Sequence, residues 1–333
     1  MGRIAVLSDG GWGTALALVL HGNGHDVRLW GPFPEYIQEM RESRENTRYL
    51  PGKPLPESFV LEEDLRRAVP DAEQIVLAAP SQYLRGLLEK LARVGLPDGT
   101  ILVNVAKGIE VGSLKRMSEV VEELLGRVRY AALSGPSHAE EVARGIPTAV
   151  VVASRDASIY EAVQEAFSND FLRVYSSYDI TGVELGGALK NVLALAAGIC
   201  DGMGFGDNTK AAMMTRGIRE MARLGAALGG RPETFGGLSG VGDLIVTCMS
   251  QHSRNRHVGE QLGRGRELAA VIDEMGGKVA EGVPTAQSAY QLAQRHHVET
   301  PIIEQIHAAL YEGRDPREAV QALMARSGKP EHP

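Results

Sequence analysis

The fold is decided by Ile4-Ala5-Val6-Leu7 followed by Ser8-Asp9-Gly10-Gly11-Trp12-Gly13-Thr14-Ala15. The first four residues form a short apolar run that reads as a buried strand, and residues 14–21 read as a helix. Strand, glycine turn and helix in that order give meaning to a dinucleotide-binding fingerprint. The glycines let the backbone approach a pyrophosphate, and the helix start supplies unpaired N–H donors. Gly10 and Gly13 match the second and third glycines of the fingerprint, with Gly11 and Trp12 between them, but Ser8 stands at the first. That position makes the tight turn, so backbone strain is expected at Ser8. The second strand, residues 26–30, ordinarily ends on an acid that reads an NAD ribose, or near an arginine that reads an NADP phosphate. Here it runs into Gly31-Pro32-Phe33, which leaves the choice between NAD and NADP open.

Further strands are expected at 75–79, 100–105, 130–133, 148–153 and 172–175, with helices at 83–93 and 114–125. This alternation implies a parallel sheet covered by helices on both faces. Beyond residue 180 the pattern is helical, at 183–197, 210–228, 290–295, 302–311 and 316–324. The expected architecture is α/β: an N-terminal Rossmann-type doubly wound sheet in 1–180, then an all-α domain in 181–333, with a frayed tail at 329–333. A length of 333 residues suits two domains. A net charge of −7 and an aromatic content of 5 % argue against nucleic acid as a partner. Cys200 and Cys248 form no CxxC pair, which disfavours a disulfide framework or zinc site and fits a reducing cytoplasm. The apolar run 4–7 is too short for a signal peptide, and 188–199 is too short for a membrane span. The histidines lack ligand spacing, so no metal is assigned.

Several polar residues stand where chemistry is expected. Lys107 follows the fourth strand, at the sheet end where doubly wound folds bind ligands. Ser137, in Ser134-Gly135-Pro136-Ser137, reads either as a helix cap partnered by Glu140 or as a ligand contact. Lys190, beside Asn191, interrupts the most apolar helix. A lysine there needs a partner, an edge or a shifted pKa, and such a group can exchange a proton with a substrate oxygen. Gly186, one turn earlier, is expected to admit a ligand close to the helix. Asp243 shares a helical face with Thr247 and reads equally as a cap or as the carboxylate holding Lys190. Ser253 reads as an N-cap, which puts Arg254 and Asn255 in a first turn suited to a phosphate.

Together these motifs resemble the bacterial type of NAD(P)-dependent glycerol-3-phosphate dehydrogenases, nearly end to end. The resemblance runs through Gly10–Ala15, Ala79-Pro80-Ser81-Gln82, Ala106-Lys107-Gly108-Ile109 and Ser134–Ser137. It continues through Gly186-Gly187-Ala188-Leu189-Lys190-Asn191, Gly204-Phe205-Gly206-Asp207-Asn208, Gly242-Asp243-Leu244, Ser253-Arg254-Asn255-Arg256 and Val279-Ala280-Glu281-Gly282. It implies interconversion of dihydroxyacetone phosphate and sn-glycerol 3-phosphate with NAD or NADP, by a cytoplasmic homodimer feeding glycerophospholipid synthesis. By the resemblance Lys190 exchanges the proton, and Lys107 contacts substrate and cofactor. Gly135, Ser137, Asp243, Ser253, Arg254 and Asn255 line the glycerol phosphate site. Gly11, Trp12, Ala139, Arg254, Val279 and Glu281 contact the dinucleotide, and Thr247 and Asn191 support. Two other readings compete. A 3-hydroxyacid or 6-phosphogluconate type dehydrogenase shares the domain order and a lysine-asparagine helix, but not segments 134–137 and 253–256. A cofactor-binding sensor without catalysis leaves Lys107, Lys190 and Asp243 without a purpose.

Overall fold

The computed structural model describes residues 2–328, 330 and 331; of the expected tail, residues 329, 332 and 333 lie outside the described residues. The first half alternates β1 (Arg3–Leu7), α1 (Gly11–Gly22), β2 (Asp26–Trp30), α2 (Pro34–Ser43), β3 (Val60–Glu62), α3 (Leu65–Ala68), β4 (Gln74–Leu77), α4 (Ser81–Val94), β5 (Ile101–Asn104), α5 (Met117–Leu125), β6 (Arg129–Ser134), α6 (Ala139–Val142), β7 (Thr148–Ala153), α7 (Ala157–Phe167) and β8 (Leu172–Ser177). The second half is helical: α8 (Ile180–Gly202), α9 (Asp207–Ala227), α10 (Asp243–Met249), α11 (Arg254–Gly263), α12 (Leu268–Glu274), α13 (Gly282–Arg295), α14 (Pro301–Tyr311) and α15 (Pro316–Met324). One 3₁₀ turn (Pro232–Gly236) and one widened turn (Leu238–Gly242) lead into α10.

The eight strands lie in the order β3-β2-β1-β4-β5-β6-β7-β8. The strand order reverses between β1 and β4, and in such sheets that crevice takes the nucleotide. Central strands such as β4 and β5 are buried on both faces, which explains their unbroken apolar runs. The expected all-parallel pairing fails at one place, because β7 runs antiparallel to β6. The short connection across α6 returns the chain beside β6 without a full crossover. β3 escaped sequence reading because it has only three residues. The helix expected from residue 114 starts at Met117 instead. Leu114 adopts φ +59°, and an Ile109–Arg116 bridge holds the preceding turn open.

Helix α8 is buried from Gly182 to Cys200, which explains its lack of a polar face. It is long and apolar enough to cross a membrane, yet its whole apolar window is buried inside this chain's own fold. Packing against α11 is close at its glycines: a Cβ at Gly259 would lie 2.0 Å from the Leu195 carbonyl oxygen. One core fills each face of the sheet, and a third surrounds α8.

Candidate active site

Lys107 leaves the sheet just beyond β5, Lys190 projects from the middle of α8, and Asp243 begins α10. Their side chains meet. Asp243 is 2 % exposed, and its carboxylate joins both amines, Oδ2 at 2.7 Å from Lys107 Nζ and Oδ1 at 2.9 Å from Lys190 Nζ. Lys190 also donates to Thr247 Oγ1 at 2.7 Å, one turn along α10. Lys107 donates to the Gly135 carbonyl at 2.9 Å and to Ser137 Oγ at 3.4 Å. Thus Asp243, read as either cap or partner, is the partner.

Burial lowers the Lys190 pKa, Asp243 offsets part of that effect, and the like charge of Lys107 adds to it; the result is about 8. Burial pushes Asp243 upward, but the two ammonium groups outweigh it and hold its carboxyl below the usual value. Lys190 is therefore a buried amine whose proton affinity lies near physiological pH, the condition for efficient proton exchange.

Two expectations are corrected. Ser137 does not cap a helix: α6 starts after His138 with no side-chain cap, and Ser137 Oγ donates to the Gly135 carbonyl at 2.9 Å. Gly186 does not face a ligand, since a Cβ there would sit 2.7 Å from the Ser239 carbonyl oxygen. Its neighbour Gly187 makes the room, because a Cβ there would meet Ser134 Oγ at 2.7 Å and Lys107 Cγ at 3.4 Å.

Polar contacts tie this cluster to α11 and α13. Asn191 donates to the Lys107 carbonyl at 3.1 Å and accepts from Asn255 at 2.9 Å. Asn255 in turn accepts from the Gly282 N–H at 2.8 Å. Ser253 caps α11, accepting from the Arg256 N–H at 3.1 Å. Among the described residues Arg254 makes no hydrogen bond or ion pair, and its side chain is exposed at the start of that helix. Glu281 accepts from the Ser81 N–H at 2.7 Å and from its hydroxyl, which links the start of α13 to the start of α4. Burial raises the Glu281 pKa against those bonds and Arg254. Val279, half-buried, precedes it.

The first loop fits a dinucleotide. Helix α1 has no side-chain cap, so its first amides are free. A Cβ at Gly10 would meet little besides Ser8 Oγ at 3.9 Å, which leaves the backbone open to a ligand. A Cβ at Gly13 would lie 2.2 Å from the Ser8 carbonyl oxygen, so that position needs glycine for packing. Gly11 packs between the Tyr49 carbonyl and Ala139. Trp12 Nε1 is buried without a partner among the described residues, a donor free to meet a ligand acceptor. The strain expected at Ser8 is present, with φ at +116°.

Sequence reading gave no role to Ser81 or His138. Ser81 follows Pro80 at a strand end, a position that could have marked it. His138 Nε2 is buried without a partner among the described residues, the ring lies 5.8 Å from that of His252, and burial followed by the Lys190 charge lowers its pKa.

Two family models match the chain. One, described as the N-terminus of NAD-dependent glycerol-3-phosphate dehydrogenase, covers residues 3–160; the other, its C-terminus, covers 179–321. The chain is 51 % identical over 332 residues to a glycerol-3-phosphate dehydrogenase [NAD(P)+] of Chlorobium phaeobacteroides, covering 99 % of each. It is 51 % identical over 329 residues to one of Bacillus velezensis, covering 98 % of this chain and 95 % of that protein. Its structure superimposes on a crystal structure of glycerol-3-phosphate dehydrogenase from Coxiella burnetii with TM-score 0.94 and 40 % identity, covering 98 % of this chain and 99 % of that one.

Proposed function

Because the chain belongs to the NAD-dependent glycerol-3-phosphate dehydrogenase family, we propose that it reduces dihydroxyacetone phosphate to sn-glycerol 3-phosphate and runs the reverse oxidation. The observation that carries this reading is the contact of Lys107, Lys190 and Asp243 at the strand ends, with Arg254, unpaired among the described residues, on the neighbouring helix. Residues 1–180 would serve the dinucleotide and 181–333 the substrate.

When bound, the nicotinamide supplies the hydride to the substrate's C2 or takes it back. Gly10, Gly11, Trp12 and Gly13 would hold the dinucleotide phosphates, with Ala139, Lys107, Val279 and Glu281 around the rest. Arg254, Asn255 and the free amides of the α11 start would hold the substrate phosphate, with Ser253, Ser137 and Gly135 beside it. Fixing that group orients the ketone. As negative charge develops on the ketone oxygen, Lys190 Nζ gives it a proton and Lys107 stabilises the charge. In the oxidation Lys190, neutral, takes the hydroxyl proton. Asp243 keeps Lys190 aimed and Lys107 beside it. Supply of glycerol 3-phosphate for glycerophospholipids, in a homodimer, extends the same reading.

The test is the loss of NADH or NADPH absorbance when dihydroxyacetone phosphate is added to pure protein. Rapid oxidation of either is expected; a folded protein that oxidises neither would overturn the proposal.

A further inference from the structure

The adenosine end of the loop holds a buried carboxylate with an acceptor to spare. Strands β1 and β2 pair in register from Arg3↔Asp26 to Leu7↔Trp30, and the Ser8 N–H donates to the Trp30 carbonyl at 2.9 Å. Asp9, the next residue, therefore stands opposite the end of β2. A Cβ at Gly31 would lie 2.7 Å from Asp9 Oδ2 and 2.6 Å from Ile37 Cδ1. Only the missing side chain at Gly31 lets the Asp9 carboxylate occupy that place. The Asp9 backbone is pinned, its carbonyl accepting from Asn46 Nδ2 at 2.7 Å and from Thr14 Oγ1 at 3.3 Å. Asp9 is 3 % exposed, yet its Oδ2 has no hydrogen-bond partner among the described residues. A buried acceptor left bare is costly unless a ligand donates to it.

In doubly wound folds the acid that reads the adenosine ribose ordinarily projects from the end of the second strand itself. Here that strand ends in Trp30, followed by Gly31, Pro32 and Phe33. We infer that Asp9, reaching across from β1, takes over this task, accepts from the ribose hydroxyls, and makes the protein select NADH over NADPH. A 2′-phosphate removes the donor that Oδ2 needs and brings like charge against a carboxylate. Arg48 is the cation whose charge reaches Asp9, but its guanidinium is paired elsewhere. It donates to Glu39 at 2.9 Å and lies 4.1 Å from the centre of the Tyr36 ring. It makes no hydrogen bond to Asp9.

The inference rests on the dinucleotide reading above, and its test is equilibrium binding without substrate. NADH and NADPH are titrated against the wild-type protein by nucleotide fluorescence, and ADP and 2′,5′-ADP compete for the same site. NADH is expected to bind at least about tenfold tighter than NADPH, and ADP to compete better than 2′,5′-ADP. Asp9→Asn is expected to weaken NADH binding and bring the two nucleotides within about threefold of each other. Equal binding, tighter NADPH binding, or an unchanged ratio in a folded Asp9→Asn protein would overturn the assignment. The wild-type ratio and the ADP competition decide the matter even where the variant does not fold. Failure to bind either nucleotide would instead sink the dinucleotide reading itself.

Discussion

Replacing Asp243 by Asn should uncouple the proton chemistry from the fold. The substitution keeps the shape and removes one negative charge that faces two ammonium groups at 2.7 and 2.9 Å. At an effective dielectric of about 20, unit charges about 3 Å apart attract by roughly 5 kcal/mol. If relaxation and the retained hydrogen bonds return half of that, about 2–3 kcal/mol is lost from the charged form of Lys190. At about 1.4 kcal/mol per pK unit, its pKa falls by about two units. The wild-type value is about 8. On the proposed mechanism reduction requires the protonated amine, so the wild-type rate should fall as pH rises through about 8, and oxidation should rise through the same range. In Asp243→Asn the upper limit for reduction should move to about pH 6, lowering the rate near neutrality by at least about tenfold. Removing one member of a buried ion pair also costs about 3–5 kcal/mol of stability, so folding is checked by circular dichroism. The assay is kcat/KM for reduction against pH, which reports the free protein's groups, with Asp243→Glu as the charge-keeping control. A folded Asp243→Asn whose rate still falls only near the wild-type pH would refute the argument.

Other perturbations test separate parts of the structure. Arg254→Ala should raise KM for dihydroxyacetone phosphate by roughly a hundredfold and change kcat far less, because a charged hydrogen bond to phosphate is lost; an unchanged KM puts the phosphate elsewhere. Ser8→Gly should stabilise by about 1 kcal/mol in urea unfolding, since glycine relieves the strain at φ +116° and returns part of the gain as unfolded-chain entropy; a lower midpoint contradicts it. Gly259→Ala should destabilise by about 1–3 kcal/mol, because its Cβ would meet the Leu195 carbonyl oxygen at 2.0 Å; an unchanged midpoint would show that α8 and α11 separate freely.

What could be read from the sequence follows the range of the interactions involved. The β1-turn-α1 unit was legible because strand period, glycine turn and helix period all lie within twenty-odd adjacent residues. The burial of α8 was legible because a helix apolar on every side has no face to give to water. β3 was not, because three residues carry no period, and the reversal at β7 was not, because strand direction depends on a connection whose path no propensity encodes. Ser137 shows the limit in the site. Its spacing to Glu140 satisfies a capping box, but Gly135 at φ +134° turns the chain so that the hydroxyl meets Lys107 instead. Gly186 and Gly187 were indistinguishable as letters, and only the packing of α8 decides which one faces Lys107.

The lysine pair explains why the acid between them must be shared. A lone Lys190 in this core would be driven toward the neutral form by burial, leaving no proton to give in the proposed reduction. Paired with Asp243 alone, it would lack the repulsion of Lys107 and hold its proton more tightly. Lys107 divides the attraction of the carboxylate and adds its own repulsion, so the Lys190 proton is neither lost nor locked. The cluster keeps one net positive charge where an anionic substrate would arrive, and reduction adds the negative oxygen that this charge favours. The residues lie far apart in sequence, since Lys107 and Asp243 are separated by 136 positions and Lys190 lies between them. The sheet end, the buried helix and the α10 start must therefore all be in register before the proton acquires its working affinity. Asn191 and Asn255, which bind the Lys107 backbone to Gly282, hold that register across the two halves of the chain.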